Sequence, residues 1–344
     1  MEKLKALVTA EINKEYLEKA LGEHVDFVYA GYNIDHKVLE HDKLVEAIKN
    51  IDILICEYDT VDRDVFEAAN SLKIIICCRG GVKAVVDLET AMEKGIVVCN
   101  NAGRNAGAVT DMAMGYMLDL TRNITLTNNL IHSKKITMEE STKPKEYQDT
   151  VWGLDNDSPF IRFRGRSINC MTIGIIGYGH AGKIMAEKSH AFGMKILAYD
   201  PYCNFENKPD YVKQATWEQI LEESDIISVH CVLSSQTRNM FNKKAFDKMK
   251  KGSYFINTSR GELVVEEDLI AALKSGKLAG GAIDVTIREP ISSNSPLLEV
   301  ENLIITPHIA GSSEDVQACG TKMVIDSLCD YISGNKPRNA VVYM

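Results

Sequence analysis

The chain alternates continuous apolar runs with helically spaced stretches along most of its length. Near the start, residues 6–9, 26–30, 51–56, 73–78 and 96–99 are apolar runs of strand length. Runs without polar alternation suit parallel strands covered on both faces. Between them, 14–22 and 37–50 carry helical spacing, and further helical patterns begin near Asp62 and Asp87. The first run is followed by no glycine-rich phosphate loop. This portion therefore predicts a flavodoxin-like α/β layer suited to substrate rather than to a dinucleotide.

A helical pattern rich in Ala, Met and Leu, 107–122, leads out of that layer, and a polar segment, 133–157, follows with Pro144 and Trp152. The pattern then changes. Ile173-Gly174-Ile175-Ile176 runs into Gly177-Tyr178-Gly179-His180-Ala181-Gly182, residues 183–192 read as a helix, and 195–199 read as a strand delivering Asp200. A strand, a G-x-G-x-x-G turn, a helix and a distal acid form a dinucleotide-binding fingerprint in context. Gly177 permits the sharp turn, Gly179 close approach to a pyrophosphate, and Gly182 tight helix packing. The helix N-terminus supplies free N–H groups for the anion. Asp200 would bond the adenosine ribose hydroxyls and repel a 2′-phosphate, which predicts NAD rather than NADP.

Strand patterns at 225–230, 253–257, 278–284 and 302–306 alternate with helical ones at 217–223, 243–250 and 265–275. With the two around the fingerprint they make about six strands, the count of a full doubly wound nucleotide domain. A last helix is expected from Ser312 or Ser313 to about Ile332, ended by Gly334. The expected architecture is α/β with two doubly wound domains, a Rossmann NAD-binding domain at 104–311 inserted into a flavodoxin-like substrate domain at 1–103 and 312–344.

Composition narrows the functional classes. Of 344 residues, 45% are hydrophobic and 25% charged, which is ordinary globular usage, and the net charge of −9 argues against nucleic-acid or anionic-membrane partners. No apolar stretch reaches membrane-spanning length and the start shows no signal-peptide core, so a cytoplasmic location is expected. The nine cysteines form no C-x-x-C pair and the eight histidines no H-x-x-x-H spacing, so no metal is expected.

Three polar residues follow late strand patterns, where doubly wound sheets hold their ligands. Arg260 lies in Asn257-Thr258-Ser259-Arg260-Gly261, Glu289 in Asp284-Val285-Thr286-Ile287-Arg288-Glu289-Pro290, and His308 in Thr306-Pro307-His308-Ile309-Ala310-Gly311. With the fingerprint, Arg79-Gly80-Gly81-Val82, Gly103-Arg104-Asn105-Ala106, Val229-His230-Cys231 and Pro337-Arg338-Asn339, these segments resemble the D-isomer-specific 2-hydroxyacid dehydrogenase family over nearly the whole chain. The resemblance implies reversible hydride transfer between NADH and C2 of a small 2-oxo acid. It also implies a cofactor lined by His180, Ala181, Cys231, Thr237, Thr258, Ser259, Asp284 and Gly311, with Asp284 towards the nicotinamide. Backbone N–H groups at Gly81 and Val82 would hold the substrate carboxylate, while Arg79 with Lys83 either holds a distal phosphate or second carboxylate of the substrate or is a solvated loop cation.

The residue types suit that chemistry. Arg260 offers a planar fork to carboxylate and carbonyl oxygens. His308 can give the carbonyl oxygen its proton and take it back in oxidation. Glu289, paired with it, would favour the imidazolium and so raise its pKa. Lys83 stands where the family's pattern has glycine, and Val85-Val86 where it has Asp-Asn, so the identity of the acid stays open. Relatives in the family also include NAD(H)-sensing corepressors, the alternative to an enzyme. Residues 108–120 carry more apolar surface than one core requires, and since relatives dimerise through this region a homodimer is expected.

Overall fold

The computed structural model describes residues 3–136 and 158–343. Most of the polar segment expected at 133–157 lies outside the described residues. Two compact units result, Met1–Ala108 with Gly311–Met344, and Val109–Ala310. The first boundary falls at 108 rather than 103, inside the helix Ala106–Arg122, which begins in one unit and continues in the other.

In the first unit β1 (Leu4–Val8), β2 (Val25–Tyr29), β3 (Ile53–Cys56), β4 (Ile74–Cys77) and β5 (Val97–Asn100) run parallel in the order β2-β1-β3-β4-β5. Side chains leave a strand alternately to either face. Ile53 and Ile55 of β3 thus join Ala6, Val8, Ile74 and Ile76 on one face, while Leu54 and Cys56 join Leu7, Ile75 and Phe66 on the other. With helices on both sides, every residue of β3 and β4 is buried, which is why these strands read as unbroken apolar runs.

The second unit holds β6 (Thr172–Ile176), β7 (Lys195–Tyr199), β8 (Val212–Gln214), β9 (Ile226–Val229), β10 (Ser253–Asn257), β11 (Leu278–Ile283) and β12 (Leu303–Ile305), all parallel, in the order β8-β7-β6-β9-β10-β11-β12. Strands β8-β7-β6-β9-β10-β11 follow the doubly wound nucleotide-binding order, with β12 as a seventh at the edge. The chain then returns to the first unit through the helix Glu314–Ile332, whose Val324, Ile325 and Leu328 cover the Ile53 face of its sheet. It ends on β13 (Ala340–Val342), antiparallel to β5.

Three local expectations change. The helix expected at 37–50 is shortened to His41–Ala47, and a separate helical turn not expected from the sequence, Tyr32–Asp35, precedes it and is stopped by His36 in a left-handed conformation (φ 57°). Strand β8 was not expected: it is a three-residue edge strand with two exposed residues and offers no apolar run. Ala113, Met114, Tyr116 and Met117 of the long helix pack with Ile173, Ile175 and Ile256 in the core of their own unit. The apolar surplus that suggested a second copy is thereby largely taken up within the chain.

Candidate active site

Strand β6 delivers the glycine turn. Gly177 adopts φ +89°, and a Cβ there would lie 2.7 Å from the Cys231 nitrogen. At Gly182 a Cβ would come within 2.0 Å of the Gly177 carbonyl oxygen, so only glycine lets the helix His180–Ala191 sit this close to the turn. Gly179 is that helix's N-cap. It has no side chain to cap the leading amides, and a Cβ there would meet nothing within 4 Å. His180 is exposed and Ala181 half-buried at the same mouth. Uncapped N–H groups facing open space, with the helix dipole behind them, suit a phosphate.

Asp200 follows β7. Its Oδ2 accepts from the Tyr178 amide at 2.8 Å and its Oδ1 from the Tyr202 amide at 2.9 Å. The carboxylate therefore ties the glycine turn to the end of β7, and each oxygen keeps acceptor capacity for a ribose hydroxyl. After β10, Thr258 is buried and its Oγ1 has no hydrogen-bond partner in the protein, while Ser259 donates to the Val229 carbonyl at 2.8 Å. A buried hydroxyl without a partner is costly unless a ligand meets it. The uncapped helix, the acid and this orphan hydroxyl together fit NAD.

Other expected cofactor positions have internal roles. Thr237 Oγ1 donates to the Val232 carbonyl and accepts from the Ser234 amide, both at 2.8 Å, closing that loop on itself. Cys231 is half-buried beside Met240, and burial pushes its thiol up to about 11. Gly311, in the first unit, meets Asn105: a Cβ would lie 2.4 Å from its Nδ2. His230, at the end of β9, bonds Ser228 at 2.9 Å through Nε2, and burial pushes its imidazole down to about 4.

The loops after β11 and β12 meet at His308. Its Nδ1 lies 2.6 Å from Glu289 Oε2. A carboxylate can only accept, so Nδ1 is the donor and Nε2 is left to exchange a proton with a ligand. Glu289 is held in turn by the Thr286 amide, 3.2 Å from its other oxygen. Both side chains stay accessible, at 47% and 38% exposure, as groups that must meet a ligand should be.

Asp284 supports this pair from below. It is 1% exposed, and its carboxylate accepts from the Thr306 hydroxyl and from the amides of Ile309 and Ala310, at 2.9 and 2.7 Å. The His308 amide also donates to the Asp284 carbonyl at 2.8 Å, and His308 itself takes φ 58°. Asp284 thus fixes the turn that presents the imidazole. Thr306, which also contacts the Tyr116 hydroxyl, belongs to this support and was not singled out in the sequence. Arg260, after β10, bonds its own loop through the Ser259 carbonyl at 2.7 Å, and its carbonyl is held by Asn257.

In the first unit the Arg79 guanidinium lies 5.5 Å from the Tyr58 ring centroid. Gly81 is exposed and opens the short turn Val82–Ala84; the Val82 side chain is buried in the core, leaving its backbone as what it presents. Glu57 and Arg104 also meet here as an ion pair, at 2% and 17% side-chain exposure. Glu57 carried no motif, and only its place directly after the apolar run of β3 could have marked it.

Among the described residues no three His, Cys, Asp or Glu side chains are arranged to hold a metal, and no helix is long and apolar enough to cross a membrane.

Comparison with known proteins identifies the family. Residues 114–310 match the model of the D-isomer-specific 2-hydroxyacid dehydrogenase NAD-binding domain. The chain is 32% identical over 300 residues to a hydroxypyruvate reductase of Blautia hydrogenotrophica, covering 87% of this chain and 88% of the relative. It is 34% identical over 283 residues to a hydroxypyruvate reductase of Thermotoga maritima, covering 81% and 84%. Among solved structures, D-lactate dehydrogenase of Aquifex aeolicus with NAD and lactic acid shares the fold at a TM-score of 0.71, with 23% identity over 99% of both chains. The chain belongs to the D-isomer-specific 2-hydroxyacid dehydrogenases, NAD-binding oxidoreductases that act on 2-hydroxy acids.

Proposed function

We propose that this chain interconverts a small 2-oxo acid and its D-2-hydroxy acid, with His308 as proton donor and acceptor, Glu289 as its partner and Arg260 as the grip on the substrate's carboxylate and carbonyl oxygens. Bound NAD(H) supplies or accepts the hydride at C2. The observation that carries the reading is the His308 Nδ1 to Glu289 Oε2 bond of 2.6 Å. It fixes one face of the imidazole and leaves Nε2 to protonate the carbonyl oxygen as hydride arrives. Arg260 polarises the same carbonyl and neutralises the carboxylate. Asp284 acts through the His308 turn as a positioning residue rather than by touching the cofactor.

The relatives named as hydroxypyruvate reductases favour reduction of a short, uncrowded 2-oxo acid. The test is His308→Asn, which keeps size and polarity but carries no exchangeable ring proton. Turnover of NADH with hydroxypyruvate or glyoxylate should fall ~1,000-fold while NADH binding, read by fluorescence, is retained. Unchanged turnover would reject the assignment.

A further inference from the structure

The loop after β10 carries Arg260 and the loop after β11 carries Glu289, and both lie within the unit Val109–Ala310. Strands β10 and β11 are parallel neighbours with Asn257 paired to Ile283, so the two loops leave the sheet side by side. The ladder stops one residue later, where the Asp284 amide donates to the Asn257 carbonyl at 3.0 Å. From there on, strand pairing no longer fixes the spacing of the two loops. An arginine that grips a substrate and a carboxylate that holds the proton donor nevertheless have to keep one geometry.

Two contacts take over from the ladder. Gly261, directly after Arg260, is buried against the backbone of the other loop: a Cβ there would lie 2.2 Å from the Thr286 carbonyl carbon and 2.6 Å from the Ile287 nitrogen. Only glycine permits that approach. The chain then turns through Gly261–Leu263 into the helix Glu266–Lys274, whose first residue, Glu266, is half-buried. Its Oε1 accepts from the Ile287 amide at 2.9 Å, a bond strengthened by the charge of the acceptor. One contact is steric and the other polar, and both fall on Thr286 and Ile287.

Those residues begin the segment that presents Glu289. The Thr286 amide donates to Glu289 Oε1 at 3.2 Å, and the Thr286 hydroxyl donates to the Arg288 carbonyl at 2.6 Å. Thr286 is buried, whereas Ile287, Arg288 and Glu289 are exposed. An exposed segment has little packing of its own to order it. Its conformation therefore depends on the anchor at its start.

We propose that Glu266 is a positioning residue: it clamps the Glu289 loop to the Arg260 loop and, through Thr286 and Ile287, sets the Glu289 carboxylate against His308. The inference rests on the function proposed above. Glu266 itself moves no proton and meets no substrate. Its consequence is that the Arg260 grip and the His308–Glu289 pair keep their places as one piece rather than as two independent loops. Glutamine at 266 retains an accepting oxygen at the same reach, whereas alanine leaves the Ile287 amide to water.

The experiment compares the wild type with Glu266→Gln, Glu266→Ala, Glu289→Gln and the double variant Glu266→Ala/Glu289→Gln. Melting temperature and NADH fluorescence establish that each variant is folded and binds cofactor. Glu266→Ala should lower kcat with hydroxypyruvate or glyoxylate ~30-fold with NADH affinity changed less than ~2-fold, and Glu266→Gln should restore kcat to within ~3-fold of wild type. In the Glu289→Gln background the carboxylate to be positioned is already gone, so adding Glu266→Ala should cost less than ~3-fold. A merely structural glutamate would lower kcat by the same factor in both backgrounds. That additivity, or an alanine variant within ~2-fold of wild type, overturns the proposal. A second arm needs no turnover: hydrogen exchange of the Ile287 amide, read over 284–290 by mass spectrometry, should be ~10-fold faster in Glu266→Ala and close to wild type in Glu266→Gln. Equal exchange in all three overturns the clamp. If the wild type reduces no acid and exchange still responds to Glu266, the proposed reaction fails while the clamp stands.

Discussion

Two parallel sheets in this chain prepare their carboxyl edges by opposite means. At the edge of the seven-stranded sheet the decisive positions are glycines: Gly182 would drive a Cβ into the Gly177 carbonyl, and Gly179 leaves open space before uncapped amides. At the edge of the six-stranded sheet the decisive positions are long polar side chains, Glu57, Arg104 and Arg79, arranged around unmet oxygens. Removing side chains exposes backbone, which every pyrophosphate recognises alike. Adding them leaves a fixed pattern of donors and acceptors in which some buried oxygens have no partner. One parallel topology thus prepares one edge with bare backbone and the other with side chains.

Gly182→Val against Gly81→Ala breaks the comparison most sharply. A valine at 182 has backbone 2.0 Å from its Cβ and should cost about 3 kcal/mol or more of stability and abolish NADH binding, read by melting and fluorescence titration. An alanine at 81 meets nothing within 4 Å and should change the melting free energy by less than about 0.5 kcal/mol. Intact NADH binding in Gly182→Val would show that the helix can retreat from the turn.

Asp284→Asn is expected to be next in size. It replaces one of two accepting oxygens facing the Thr306 hydroxyl and the amides of Ile309 and Ala310, costing about 2 kcal/mol. Because those amides hold the His308 turn, kcat should fall between about tenfold and 100-fold with NADH affinity little changed. A loss confined to NADH affinity would return Asp284 to the cofactor.

His230 gives the smallest effect. Burial holds its folded pKa at about 4, below the 6.5 of an exposed imidazole. The unfolded chain then binds a proton that the folded one refuses, so stability falls as pH drops from about 6.5 to about 4. His230→Asn should flatten the fall of melting temperature over that window; an unchanged slope would show that the imidazole does not report burial.

The sequence made the sheets legible because both are buried on two faces, and Ile53, Leu54 and Ile55 or Ile173, Ile175 and Ile176 cannot be mistaken for surface. The glycine turn was legible for the same kind of reason, since Gly177, Gly179 and Gly182 each answer a steric demand at fixed spacing. What escaped is short or non-local. Strand β8 and strand β13 are three residues each and lie at sheet edges, where pairing rather than burial defines them. Glu57 and Arg104 are 47 positions apart and meet only once β3 and the segment after β5 share an edge. Asp284 was visible, but the direction of its carboxylate depends on where the turn at 308–310 folds back. Spacing along a chain reveals neither.

The helix Glu314–Ile332 has a temporal consequence. Leu17, Ile53, Ile55 and Ile74 are made early, whereas Val324, Ile325 and Leu328, which pack with them, leave the ribosome only after all of Val109–Ala310. Until then one face of the first sheet has only part of its cover, from Leu17 and Leu21 of the helix Lys14–Leu21, and the antiparallel partner of β5 does not yet exist. The intervening unit carries its whole core in one continuous segment and is free to fold while the first waits. Nascent chains of this protein therefore pass through an interval in which a finished nucleotide-binding body trails a half-covered sheet, the interval in which chaperones would find most to hold.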